Sequence, residues 1–171
     1  MDLQHIYHFI NNQQYTCENL ISIIKEQTKR PYFVAILIKT ILFDSLIGNH
    51  DRHGRNLGLI VMSNDISLAP IYDNVSYLAL EQGNMLSADF NPVGKIATET
   101  TIEPSMKDYV REFKRLGFEE EVSSFYKRLA TRGMETIDLL IENSFCSSLM
   151  KQALKRLIGK RYMELENEFR T

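Results

Sequence analysis

Apolar residues recur at helical spacing along most of the chain. Leu3, Ile6, Tyr7 and Ile10 share one helical face, and so do Leu20, Ile21, Ile23 and Ile24, which predicts two short helices at the start. Pro31 suits the first turn of a third helix that runs to about Ile47. Its stretch from Tyr32 is apolar almost all round, broken only by Lys39, Thr40, Asp44 and Ser45. A helix of that kind belongs in the centre of a domain. It falls short of the roughly 20 mostly apolar residues that a membrane span needs.

The pattern then changes. Asn49 to Asn56 is polar, punctuated by Gly48 and Gly54. Leu57 to Met62 is a short apolar run, Ser63-Asn64-Asp65 a turn, and Ile66 to Tyr72 a second run with Pro70 near its end. Together they predict a small hairpin over Leu57–Tyr72. Ser87 to Pro104 is loop-like. Helical spacing resumes afterwards, with Ser105 as an N-cap, Asp108 in the first turn and Gly117 as a stop. Val122, Phe125, Tyr126 and Leu129 form the next apolar face, and Met134, Ile137, Leu140 and Ile141 another. A last stripe holds Leu149, Met150, Leu154, Leu157, Ile158, Tyr162, Leu165 and Phe169. These stripes predict core, and the whole predicts one mainly α-helical domain over residues 1–171 with a hairpin in its middle.

Composition narrows the class. The 171 residues are 44% hydrophobic and 25% charged, ordinary for a soluble globular protein. Twenty basic against twenty-two acidic residues give a net charge of −2, so no direct nucleic-acid binding is expected. Cys17 and Cys146 are too few for a disulfide framework and too far apart for a metal motif. The opening Met1-Asp2-Leu3-Gln4-His5 has neither a basic start nor an apolar run. A cytoplasmic location with no membrane partner is the expectation.

Candidate chemistry concentrates in Leu46-Ile47-Gly48-Asn49-His50-Asp51-Arg52-His53-Gly54-Arg55-Asn56. A polar loop held between a buried helix and a hairpin is a rigid place for side chains. The bland alternative is a connection whose Asp and Asn cap local backbone, but the density of Asp, His, Arg and Asn favours function. Gly48-Asn49-His50-Asp51 matches part of a two-metal phosphoesterase pattern. Such a site needs more ligands, and His5 and His8 are the only histidines upstream, with none after His53. The doublet His50-Asp51 fits an HD-type metal phosphohydrolase, a weaker reading because a hairpin follows it directly. Phosphoryl transfer fits best. A protein-kinase catalytic loop places an Asp five residues before an Asn, with a second Asp after a hairpin to hold magnesium. Asp51, Asn56 and Asp73 have that order.

Phe43 to Asn56 resembles the N-x-D-x-H-x-x-N loop of HipA-like kinases, and Leu68-Ala69-Pro70-Ile71-Tyr72-Asp73 their L-A-P-x-Y-D segment. The likeness is clear over about Phe33 to Val75, and the flanking helices fit the same lobe less specifically. It implies the helical C-lobe of an atypical serine/threonine kinase, with a small hairpin beside the catalytic loop. By that resemblance Asp51 is the base or substrate-hydroxyl positioner. His53 stands where ordinary kinases carry a lysine near the transferred phosphate. Asn56 and Asp73 are the magnesium ligands. Arg55 occupies a position that favours a basic residue near the nucleotide, although a solvent-facing salt bridge explains it equally well. His50 and Arg52 receive no clear role, and Tyr72 and Pro70 are expected to fix backbone.

The resemblance also implies ATP and Mg²⁺ as cofactors, a protein substrate, and an antitoxin partner where the relative is a toxin. The family's N-lobe, with its phosphate-covering loop and nucleotide lysine, has no counterpart before Asp51. No glycine occurs before Gly48, and Lys25, Lys29 and Lys39 fall on predicted helices. The expectation is a C-lobe completed by an N-lobe-bearing chain or segment, or a self-dimer through the exposed lobe face. Bound alone, ATP should be held weakly. The alternative from another class is a non-catalytic interaction domain that keeps the lobe's shape.

Overall fold

A computed structural model describes residues 1–10, 14–49, 51–76 and 96–170. The described residues are mainly helical, with one small antiparallel sheet. In chain order the elements are β1 (Asp2–His5), α1 (Cys17–Thr28), α2 (Pro31–Ile47), β2 (Gly58–Met62), β3 (Asp65–Leu68), α3 (Met106–Arg115), α4 (Glu119–Arg128), α5 (Met134–Glu142) and α6 (Ser148–Arg170).

α2 is the axis of the core. Pro31 opens it, and Gly48, at φ +75°, closes it in the left-handed region. Val34, Leu37, Ile38, Ile41, Leu42 and Leu46 are all buried. They are buried on every side because α1, α3, α4 and α6 all pack against the helix. α1 adds Leu20, Ile21, Ile23 and Ile24 to the same core. Its N-cap is Thr16, whose hydroxyl accepts the Asn19 N–H at 3.2 Å.

The first segment departs from its predicted helix. Residues Asp2–His5 form a strand and Ile6–Phe9 a single 3₁₀ turn. β1 pairs with β2 in the register Asp2↔Val61 to His5↔Gly58. A helix so short is marginal by itself, whereas the edge of β2 offers a complete set of backbone partners. Leu3 and Tyr7 therefore remain half-exposed, and Ile6 alone drops into the core. The predicted hairpin is present as β2 and β3, joined at Ser63-Asn64 with Met62 opposite Asp65. The sheet has three strands in the order β1-β2-β3.

α3 starts as expected. The Asp108 carboxylate accepts the Ser105 backbone N–H at 2.8 Å and the Ser105 hydroxyl at 2.6 Å. Met106, Tyr109, Val110 and Phe113 face inward, and Gly117 at φ +85° ends the run. α4 passes into α5 through a π turn over Leu129–Gly133, without leaving the right-handed region at either junction. Two apolar stripes are only partly core. Leu140 is 66% exposed and Leu149 45%, while Ile141, Leu157, Ile158 and Leu165 are buried. α5 packs chiefly on α6 and the π turn, so its outer face meets no second layer. Among the described residues no helix is long and apolar enough to cross a membrane. The loop expected over Ser87–Pro104 lies outside the described residues as far as residue 95. Its remainder is tied to the core by the bond from Cys17 N–H to the Ala97 carbonyl at 2.9 Å.

Candidate functional site

The site begins inside α2. Asp44 lies in the last turn of this apolar helix, 3% exposed. A buried carboxylate needs a full set of donors, and Asp44 has four among the described residues. Arg52 gives it Nε at 2.7 Å and Nη2 at 3.0 Å. Asn49 and Asn74 each give it an amide N–H at 2.9 Å. The left-handed turn at Gly48 makes this possible. It reverses the chain so that the Asn49 N–H reaches the Asp44 carbonyl at 2.8 Å.

Arg52, 2% exposed, is the centre of the network. Its fork is bidentate on Asp44, and its Nη1 donates to the Asn56 carbonyl at 2.8 Å and the Tyr72 carbonyl at 2.6 Å. The two carbonyl oxygens therefore lie no further apart than those two bonds laid end to end. One guanidinium thus ties the end of α2, the loop over residues 49–56 and the segment after β3 into one unit. The Tyr15 hydroxyl donates to the Arg52 carbonyl at 2.8 Å. Burial pushes the Tyr15 hydroxyl pKa well up, with the Arg52 charge opposing the shift.

Within the loop the candidate residues are held by short-range bonds. The Asn49 side-chain oxygen accepts the Asp51 N–H at 3.0 Å. The Asp51 carbonyl accepts the His53 N–H at 2.8 Å and the Asn56 amide Nδ2 at 2.9 Å. Using Nδ2 in this way leaves the Asn56 Oδ1 as the atom able to face a cation. His53 Nδ1 accepts the Arg55 N–H at 3.1 Å, which places the ring proton on Nε2 in the neutral form. Nε2 stands 3.7 Å from Asp51 Oδ1, and both side chains are partly open to solvent. The Arg55 side chain is exposed, while its carbonyl accepts the Tyr72 hydroxyl at 2.8 Å. Tyr72 thus fixes backbone, as expected of it.

Asp73 follows Tyr72 directly and is solvent-exposed. It has φ +57°, uncommon for a residue with a side chain. Its carbonyl accepts Asn49 Nδ2 at 3.1 Å. The structure therefore attaches the Asp73 segment to the loop of Asp51, His53, Arg55 and Asn56. His50 lies outside the described residues. Among the described residues no three His, Cys, Asp or Glu side chains stand together as a metal cluster.

Residues that had no assigned role turn out to organise the site: Asp44, Asn49, Arg52 and Asn74. One signal for the first of them was present in the chain. Asp44 is a carboxylate in a run of buried apolar positions, and eight residues later Arg52 is a cation able to satisfy it.

Beside this loop the outer face of the sheet forms an apolar groove. Leu3, Ile60, Pro70, Ile71 and Tyr72 line it.

Comparison with protein families defines the class. The model described as the HipA-like C-terminal domain matches residues 1–137, and the chain belongs to that family. The match extends well beyond the motif-bearing stretch, from β1 into α5, and stops before α6. No curated protein matches the chain.

Proposed function

We propose that the chain is the helical catalytic lobe of a HipA-like serine/threonine protein kinase, built on a protein-kinase-like C-lobe fold. The observation that supports this is the single guanidinium joining the backbone of the Asp51–Asn56 loop to that of the Asp73 segment. A kinase needs a base, an amide oxygen and a second carboxylate at fixed mutual positions, because all act on one nucleotide and one hydroxyl.

In this reading Asp51 takes the proton of the substrate hydroxyl or orients it. Asn56 Oδ1 and the Asp73 carboxylate are the protein's ligands to Mg²⁺. Oxygen donors suit Mg²⁺, which holds few protein ligands and completes its shell with phosphate and water. Bound Mg-ATP would supply the transferable phosphoryl group and the charge that stabilises its transfer. His53 stands by Asp51 near where the phosphoryl group passes, and Arg55 lies at the exposed rim, available to the nucleotide phosphates. The substrate is a protein hydroxyl.

The adenine pocket, the phosphate cover and the nucleotide lysine must come from elsewhere, in a further segment or a second chain. The apolar groove along Leu3, Ile60, Pro70, Ile71 and Tyr72 offers a surface for that N-lobe, or for a second copy of the chain. A toxin–antitoxin setting, with an antitoxin partner in the bacterial cytoplasm, comes with the family alone. The same groove also fits a second reading, a non-catalytic interaction domain. The presence of Asp51, Asn56 and Asp73 on segments tied together through Arg52 and Asn49 favours the kinase.

The test has two parts. Calorimetry on the isolated chain should show very weak Mg-ATP binding and no autophosphorylation. A low-micromolar dissociation constant with kinase activity would overturn the need for an added lobe. With an N-lobe supplied, Asp51→Asn should lower phosphorylation by about 10²–10⁴ without unfolding the domain. Near-normal turnover in both Asp51→Asn and Asp73→Asn would overturn the kinase reading.

A further inference from the structure

We infer that Arg52, working with Asp44 and Asn49, is a clamp that holds Asp73 in its left-handed backbone conformation and so sets the direction of the Asp73 side chain. The backbone angles of a residue relate the peptide plane before it to the peptide plane after it. At Asp73 both planes are pinned. The Tyr72 carbonyl in the first accepts Arg52 Nη1 at 2.6 Å. The Asp73 carbonyl in the second accepts Asn49 Nδ2 at 3.1 Å. The next residue is pinned as well, through the Asn74 amide on Asp44 Oδ1 at 2.9 Å.

All three bonds return to one buried anchor. Asp44 and Arg52 are 3% and 2% exposed, and Asn49 is 3% exposed. The angle they impose, φ +57°, is disfavoured for any residue with a Cβ, though Asp tolerates it better than most. A short segment following an edge strand would otherwise relax to negative φ. Such a relaxation rotates the bond from Cα to Cβ and carries the carboxylate away from its present direction. Arg52 is thus a positioning residue. It touches neither substrate nor nucleotide, and acts through the conformation of a neighbouring chain segment. The consequence for metal binding rests on the proposed kinase chemistry, but the clamp itself does not.

The preference of position 73 for glycine over alanine reads the clamp directly. Asp73 is exposed, so both substitutions should fold. While residue 73 is held at positive φ, Asp73→Gly should melt about 2–4 °C above Asp73→Ala, since alanine bears the strain and glycine does not. In an Arg52→Lys background the single ammonium keeps a positive charge beside Asp44 but cannot span, as the guanidinium does, from the carboxylate to the Asn56 and Tyr72 carbonyls. There the gap should close or reverse, because alanine is the better residue once φ is free to be negative. Asn49→Ala, which removes the bond to the Asp73 carbonyl, is a second background for the same comparison. A merely structural Arg52 lowers both melting temperatures equally and leaves the gap intact. An equal gap in all backgrounds, or no gap in the parent protein, overturns the clamp. Neither nucleotide nor metal enters this measurement. A failed kinase assay therefore sinks the proposed chemistry alone, and an unchanged gap sinks the clamp alone.

Discussion

Replacing Asp44 by alanine strands a buried guanidinium, and the structure lets the cost be worked out. Arg52 would keep its bonds to the Asn56 and Tyr72 carbonyls but lose both bonds to carboxylate oxygen. The Asn49 amide would also lose a partner inside the protein. Breaking a buried ion pair from one side typically costs about 3–5 kcal/mol, because the remaining charge is left without compensation. For a domain of this size each kcal/mol moves the melting temperature by about 2–4 °C. Asp44→Ala should therefore lower it by about 6–20 °C, measured by calorimetry or by circular dichroism. An internal control exists in the pair Arg30–Asp65, whose side chains are 51% and 37% exposed. Removing Asp65 there should cost no more than about 1 kcal/mol, since solvent screens the pair. The double variant Asp44→Ala/Arg52→Met should recover part of the loss, because the uncompensated charge has gone. Recovery should stay incomplete, since the Asn56 and Tyr72 carbonyls then lack their donor. An Asp44→Ala protein within about 1 kcal/mol of the parent would refute the reasoning, for it would mean that water reaches Arg52 in place of the carboxylate.

Three further outcomes are expected. Ser105→Ala should cost about 0.5–2 kcal/mol in urea denaturation, as the start of α3 loses the hydroxyl that bonds Asp108. Gly117→Ala should cost about 1–2 kcal/mol from the backbone alone, because φ is +85° and a Cβ there would meet nothing within 4 Å. Stability should fall once the pH passes about 8.5, the ordinary cysteine pKa, and further above about 10, that of tyrosine. Burial raises the pKa of Cys17, Tyr15 and Tyr109, so above those values the unfolded chain releases protons that the folded chain retains. Urea midpoints between pH 7 and 11 check this, and a smaller fall is expected for Tyr109→Phe. A flat profile would contradict the buried placement of both hydroxyls.

Much of the scaffold was legible along the chain because its signals are local. Pro31 and Gly48 mark the two ends of α2, and Ser105 with Asp108 marks the start of α3. Each acts within one turn of backbone, so no distant partner has to be known. The turn at Ser63-Asn64 between two apolar runs is local in the same way. So is the five-residue step from Asp51 to Asn56, which the structure keeps on one tight loop through the bond of Asn56 Nδ2 to the Asp51 carbonyl. The family likeness could be read for the same reason, since its motifs are short and contiguous.

What only the tertiary structure decided is non-local. Leu3, Ile6, Tyr7 and Ile10 have helical spacing, yet their segment starts as a strand because β2, more than fifty residues on, supplies its hydrogen bonds. Leu140 and Leu149 keep the spacing of a core stripe but face solvent, because burial depends on whether a second layer covers that side. Arg52 is the sharpest case. In the sequence it is one more charge in a polar loop. In the folded chain it is closed off from water between α2 and the segment after β3, and bonds residues eight back, four forward and twenty forward. Periodicity records which side of an element each residue faces. It carries no record of which carbonyl a buried guanidinium will meet, since that depends on how separate elements come together.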